Sequence, residues 1–252
     1  MPTRPVQPTI SIVVPTKNEA ANLREVLPRL PAVHEVIVVD GGSVDGTVQA
    51  ARETLPGVRI VEQTRRGKGN ALACGFEVAT GDVIVMFDAD GSADPAEIPV
   101  FVDALTQGAD FAKGSRFAPG GGSEDITPIR RAGNAALHVV ANLAFRTRFS
   151  DLCYGYNAFW RDMVPVLSLP DTRTPERADG QMHWGDGFEI ETVINCRMAA
   201  ADVRIVEVPS VERLRIHGET NLRTFVDGWR VLRTIFSERS RAAGIARASV
   251  AA

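Results

Sequence analysis

The stretch Val83-Ile84-Val85-Met86-Phe87-Asp88-Ala89-Asp90-Gly91-Ser92 decides the fold. An apolar run of strand length ends in two carboxylates one residue apart, and Asp94-Pro95 follows. A buried strand tolerates no charge, so both acids belong at its C-terminal edge, where open α/β sheets bind ligands. Asp88 and Asp90 share a side-chain parity and can face one point. Two hard oxygen ligands beside a crevice suit Mg²⁺ or Mn²⁺, which keep waters and take a substrate phosphate as well. The plainer alternative is an acidic strand-to-turn corner capping the helix that opens at Pro95.

Outward from this strand the first half alternates strand and helix. Strands are expected at Thr9–Pro15, Glu35–Asp40, Val58–Glu62 and Phe111–Ser115, with Val83–Asp88 among them. Helices are expected over Asn22–Leu30, from Asp45-Gly46-Thr47 to about Leu55, over Gly69–Ala79 and over Pro95–Thr106. Strands separated by helices of such length indicate an α/β fold, a doubly wound, mostly parallel sheet with helices on both faces.

Polar clusters follow the strands in register: Pro15-Thr16-Lys17-Asn18-Glu19 after the first, Asp40-Gly41-Gly42-Ser43 after the second, and Asp88 to Ser92. Each alone is ordinary turn chemistry, but the fold gathers all three strand ends along one edge. Arg65-Arg66-Gly67-Lys68-Gly69-Asn70 adds a basic, glycine-flanked helix start that suits an anionic group, or else forms a solvated basic loop. Neither a G-x-G-x-x-G after the first strand nor a G-x-x-x-x-G-K-[ST] occurs, which counts against dinucleotide and P-loop readings.

The composition is that of a globular chain of one large or two small domains: 252 residues, 44% hydrophobic and 23% charged. A net charge of -3 argues against a nucleic-acid partner. Cys74, Cys153 and Cys196 lack metal spacing, which fits packing residues in a reduced compartment. Met1 to Pro8 lacks a signal-peptide core, and no apolar run approaches the roughly 20 residues of a spanning helix. The expected location is cytoplasmic, with peripheral contact at the inner face of a membrane as an option.

Five ordered motifs now resemble the inverting glycosyltransferases of family 2, which have the GT-A fold. They are Pro15-x-Lys17-Asn18-Glu19, Val39-Asp40-Gly-Gly-Ser-x-Asp45-Gly-Thr47, Gly67-Lys68-Gly69-Asn70-Ala71, Asp88-Ala89-Asp90-Gly91 and Gly114-Ser115-Arg116. The second half is similar to the dolichol- or polyprenyl-phosphate mannosyl- and glucosyltransferase branch. It carries Gly187-Phe-Glu189-Ile-Glu191, Arg204-Ile-Val-Glu-Val-Pro209 and Arg213-Leu-Arg215-Ile-His-Gly218-Glu-Thr-Asn221. The resemblance implies a nucleotide-sugar-binding half over 9–120 and an acceptor-binding half of the same domain over 121–221. A flexible terminus, 1–8, precedes them, and an amphipathic helix and tail, 222–252, follow.

The resemblance also implies roles. Pro15, Lys17 and Glu19 line the nucleotide, Val39 meets its base, and Asp40 and Lys68 bind substrate. Asp88 and Asp90 hold Mg²⁺ or Mn²⁺, with Ala89 against the ribose. Arg116, Arg131, Arg215 and Asn221 reach phosphates of donor or acceptor. Relatives often carry a second acid where Gly41 stands, which leaves GDP against UDP open. Ser92 replaces a Gln or similar polar group beyond the second metal Asp, and His217 is either a third ligand or a solvated loop residue.

Displacement at the anomeric carbon with inversion needs a base for a hydroxyl acceptor, and the acids available are Asp186, Glu189 and Glu191, with Asp186 the first choice. A prenyl phosphate acceptor is already ionised and needs none. Leu222 to Ser240 is amphipathic with a basic face, suited either to an anionic membrane or to packing on the domain. Pro170 to Gln181 reads as a mobile loop and an acceptor lid. The leading expectation is hexose transfer from a nucleotide-diphosphate sugar to polyprenyl phosphate. A soluble small-molecule acceptor is the alternative, and a nucleotidyltransferase stands behind both.

Overall fold

The computed structural model describes residues 4–219 and 224–251. The first half contains β1 (Ile10–Thr16), α1 (Ala20–Val26), β2 (Glu35–Asp40), α2 (Thr47–Thr54), β3 (Arg59–Glu62) and α3 (Lys68–Val78). After these come β4 (Val83–Met86), α4 (Ile98–Thr106) and β5 (Phe111–Ser115). The second half contributes β6 (Gly122–Ser123), α5 (Pro128–Phe145), β7 (Asn157–Trp160), α6 (Val164–Leu167), α7 (Ile190–Ala200), β8 (Ile205–Pro209), β9 (Val211–Glu212) and α8 (Thr224–Ala251).

Seven strands form one sheet in the order β3-β2-β1-β4-β7-β5-β8, parallel except for β7, which runs antiparallel to both neighbours. Helix α3 packs over β1 and β2, and α4 over β5 and β7. Strands β1, β2 and β4 are buried along nearly their whole length, as their unbroken Val and Ile runs require. The chain winds outward from β1 to β3, and α3 then carries it back to β4 on the other side of β1. The order therefore reverses between β1 and β4, the switch point where such sheets open a crevice. Glu19 follows one of these strands and Asp88 the other.

Strand β7 is absent from the sequence reading. It has four residues, Asn157-Ala158-Phe159-Trp160, too few to display a period, and it is inserted by topology rather than by pattern. Its consequence is functional, because it draws Gly155 to the switch point. The short strands β6 and β9 pair with each other and lead into the loop that closes over Asp90.

Candidate active site

Asp90 is fixed by its own turn. Its Oδ1 accepts from the Ser92 amide at 3.0 Å and the Ser92 hydroxyl at 2.7 Å, while Oδ2 faces Nη1 of Arg215 at 3.3 Å. Ser92 therefore orients Asp90. The 213–217 segment lies over this turn, with the Arg213 amide donating to the Ser92 carbonyl at 2.8 Å and the Ile216 amide to the Asp90 carbonyl at 3.0 Å. Gly91 has φ +79°, and a Cβ there would fall 2.4 Å from the Ile216 side chain, so only glycine admits this lid.

Asp88 has a different cation. The Lys68 ammonium stands 2.8 Å from Asp88 and 2.7 Å from Glu191, bridging the end of β4 to the start of α7. Burial alone would lower the Lys68 pKa, but the charges of Asp88 and Glu191 outweigh it and hold the group above its ordinary value. Gly155 backs the cluster: a Cβ there would lie 3.3 Å from Glu191 and 3.4 Å from both Asp88 and Lys68.

Arg215 extends the network across the crevice to Glu19, and its Nε donates to the His217 carbonyl at 2.6 Å. Asn22 completes the link, accepting from the His217 amide at 2.9 Å and donating to Glu19. The loop after β2 is locked by Asp40, whose Oδ2 accepts from the amides of Gly42 and Ser43 at 3.0 Å. Its other oxygen, Oδ1, is buried without a hydrogen-bond partner. At Gly41 a Cβ would lie 3.2 Å from both Gln63 and the Thr16 carbonyl, so an acid in that place would press on its neighbours.

Several expected site residues lie elsewhere. Arg116 is buried and consumed by protein carboxylates, with Asp151 at 2.6 and 3.0 Å and Glu212 at 3.0 Å. It ties β5 to the second half instead of facing a phosphate. Asp186 is likewise buried, gripped by Arg65 at 2.7 and 3.0 Å, which removes it as a base. Glu189 accepts from the amides of Gly185 and Gly187, closing a turn. Of the three acids weighed from sequence, Glu191 is the one brought to Asp88.

Val39 is wholly buried in the core, so its side chain cannot meet a base, and Ala89 is also buried. Arg131 is exposed, with its guanidinium 5.7 Å from the Phe117 ring centroid. Pro15 lies at the end of β1 and Lys17 follows it at the crevice rim, with Lys17 exposed. Asn221 lies outside the described residues.

At the basic helix start two amides are taken by the protein itself. The Asp186 carbonyl accepts from Gly69 and Asn70 at 2.8 and 3.2 Å, and a Cβ on Gly69 would fall 1.8 Å from the Gly185 carbonyl. Nor is the segment after Pro170 simply loose. Arg65 donates to the carbonyls of Asp171, Thr172 and Thr174 at 2.7–3.1 Å, pinning its beginning. The stretch 173–182 stands out in solvent. Desolvation pushes the Cys153 thiol up to about 12.

A divalent cation fits the chemistry of this donor set. Asp88 and Asp90 are partly exposed hard-oxygen donors at a switch point, already neutralised by cationic side chains. No cluster of three His, Cys, Asp or Glu able to cage a metal occurs among the described residues. Two carboxylates plus waters and phosphate oxygens is the manner in which Mg²⁺ and Mn²⁺ bind, and not that of a structural site. His217 is exposed and contributes its backbone to Asn22 and Arg215.

Comparison with known proteins agrees with this geometry. The family model described as Glycosyl transferase family 2 matches residues 11–165. A dolichol-phosphate mannosyltransferase of Pyrococcus furiosus is 30% identical over 226 residues, 85% of this chain and 59% of that protein. An undecaprenyl-phosphate mannosyltransferase of Micrococcus luteus is 32% identical over 222 residues, 83% of this chain and 86% of that protein. Among solved structures, glucosyl-3-phosphoglycerate synthase of Mycobacterium tuberculosis, in complex with Mn²⁺, UDP-glucose and phosphoglyceric acid, superposes with a TM-score of 0.70. That pair is 23% identical, covering 92% of this chain and 80% of the other.

Proposed function

The chain belongs to glycosyl transferase family 2 and is a glycosyltransferase, and from that premise we propose that it transfers a hexose, with inversion, from a nucleoside-diphosphate sugar to a polyprenyl phosphate. The observation that carries this reading is the pair Asp88 and Asp90 at the switch point, each already facing a cationic side chain from another element.

The nucleoside lies along the ends of β1 and β2. Pro15, Lys17 and Glu19 border it on one side, and the unpartnered Asp40 Oδ1 offers a base N–H an acceptor. Asp88 and Asp90 would hold Mg²⁺ or Mn²⁺, which neutralises charge on a diphosphate. Departure of the nucleoside diphosphate builds negative charge, and Arg215, whose planar guanidinium reaches over the crevice, stabilises it. Lys68 adds a second positive group beside Asp88. The acceptor oxygen attacks opposite the leaving group, which inverts the anomeric carbon. A prenyl phosphate brings its own anionic oxygen, whereas a hydroxyl acceptor would lose its proton to Glu191.

Two relatives are named for lipid-phosphate acceptors, which favours polyprenyl phosphate. The structural neighbour bound to phosphoglyceric acid supports a second reading, a soluble acceptor that also bears an anionic group. The test has two stages. Calorimetry with GDP-mannose, UDP-glucose and UDP-GlcNAc, with and without Mn²⁺, identifies the donor; Asp90→Ala should abolish metal-dependent binding and turnover while circular dichroism stays unchanged. Radiolabelled donor is then offered with a short-chain polyprenyl phosphate and, separately, with neutral alcohols, sugars and phosphoglyceric acid. Label in the soluble acceptor and none in the lipid phosphate would overturn the first reading in favour of the second.

A further inference from the structure

Helices α5 and α8 pack on each other and on α7 through Val140, Ala141, Val231, Ile235 and Cys196. Each turns an apolar row away from that core. On α5 the row runs through Ile129, Val139 and Leu143, with Leu143 79% exposed. On α8 it runs through Val226, Trp229 and Phe236, with Trp229 69% exposed. Their spacings place each set along one side of its helix, which on α8 lies away from Val231 and Ile235 and on α5 borders Val140. Large apolar side chains gathered on two adjoining helices mark an interaction surface rather than scattered exposure.

The charge on these helices is one-sided. Helix α5 contains no carboxylate, and α8 contains two, neither facing outward alone. Asp227 pairs with Arg230 at 2.5 Å, and Glu238 is 2% exposed and bound to Arg197. Arg131, Arg233, Arg239 and Arg247 are charged groups left exposed on these helices. The chain as a whole carries -3, so this surface runs against its overall balance. Apolar side chains, an indole and guanidiniums without opposing acids complement an anionic bilayer interface, where rings enter the headgroup layer and arginines meet lipid phosphates. No helix among the described residues is long and apolar enough to cross a membrane, so the fit is lengthwise.

We propose that the outward faces of α5 and α8 form one docking surface for an anionic lipid bilayer. The proposal builds on the prenyl-phosphate reading only for its purpose, since such an acceptor resides in a bilayer. Its physical basis is the surface itself.

The test is flotation of the full chain with vesicles of phosphatidylglycerol and phosphatidylcholine, and with phosphatidylcholine alone. The expected result is binding to the anionic vesicles that weakens with added salt. The double variant Leu143→Glu with Trp229→Glu should bind about tenfold less or weaker, while retaining its circular dichroism and its transfer to a short-chain, water-soluble prenyl phosphate. A second variant, Arg233→Ser with Arg239→Ser, leaves the apolar rows intact and should flatten the salt dependence. Absence of binding, or binding that neither variant changes, overturns the proposal. So does a concentration-dependent dimer dissolved by the double variant without vesicle binding, which would assign the face to a second copy. Vesicle binding together with no transfer to any prenyl phosphate would uphold the docking surface and remove the acceptor reading.

Discussion

One ammonium, that of Lys68, serves Asp88 and Glu191 together, so the two carboxylates cannot act independently. Glu191 is thereby tied to the same cation as Asp88 and held at the crevice. Its substitution separates the acceptor classes: Glu191→Gln should cost about 10²- to 10⁴-fold in kcat with a neutral hydroxyl acceptor, the usual worth of a positioned base. With a prenyl phosphate the loss should stay below about tenfold, because the nucleophile arrives deprotonated. An unchanged rate on a hydroxyl acceptor would end its candidacy. Arg65 shows the opposite use of a charge. It is buried and spans Asp186 and three carbonyls. Arg65→Ala leaves Asp186 buried without its partner and should destabilise the fold by about 3–5 kcal/mol, measured by urea unfolding. Sequence alone did not separate these cases. Lys68 and Arg65 stand three residues apart in one basic run, and only the chain path decides which faces the site. Motif spacing marks Asp90 and Arg215, which the fold brings within 3.3 Å of each other, whereas Arg116 and Asp186 belong to motifs whose charges hold elements together.

At the scale of elements, the two edges of the sheet divide the work. The C-terminal edge between β1 and β4 gathers Glu19, Asp88 and Asp90 with their cationic partners. The opposite edge is closed by Glu35, which accepts from the Ser11 hydroxyl at 2.7 Å and from the Thr80 amide and hydroxyl at 2.6 and 2.7 Å. Burial would raise this carboxyl, but those donors and Arg59 outweigh it and hold it at about 2. A carboxyl depressed on folding stabilises above its ordinary value, 4.5, and that contribution is lost as pH falls toward 2. Unfolding measured from pH 6 down to pH 3 should therefore show wild type losing stability more steeply than Glu35→Gln below about pH 4.5. Parallel slopes would refute it. The alternating first half was legible because apolar runs of strand length and helical periods both leave a signal. Strand β7 left none, and with it went the position of Gly155, since a four-residue strand is specified by its neighbours and not by its own pattern.

At the scale of the whole molecule, the second half completes the sheet that the first half begins, through β7 and β8. The C-terminal helix is part of the same body. Its buried Glu238 accepts from Trp184 at 2.8 Å and binds Arg197 at 2.9 Å through both oxygens. Arg197 in turn donates to the Leu167 and Ser168 carbonyls, so one carboxylate joins α6, α7 and α8 to the segment leading into Glu191. The sequence marked this helix by its apolar period and basic residues and gave no sign of that inward contact, because a lone Glu among arginines reads as a surface pair. The chain therefore has no cut point at the start of α8. A version ending at Ser237 would keep most of the outward apolar rows yet strand the Arg197 guanidinium in the interior, at a cost of about 3–5 kcal/mol against a usual total of about 5–15. Its melting temperature should drop well below that of the full chain, and equal values would contradict the account. For anyone trimming this protein toward a minimal catalyst, what resembles a detachable tail is a keystone: its last turns hold the interior together while its outer side faces the solvent.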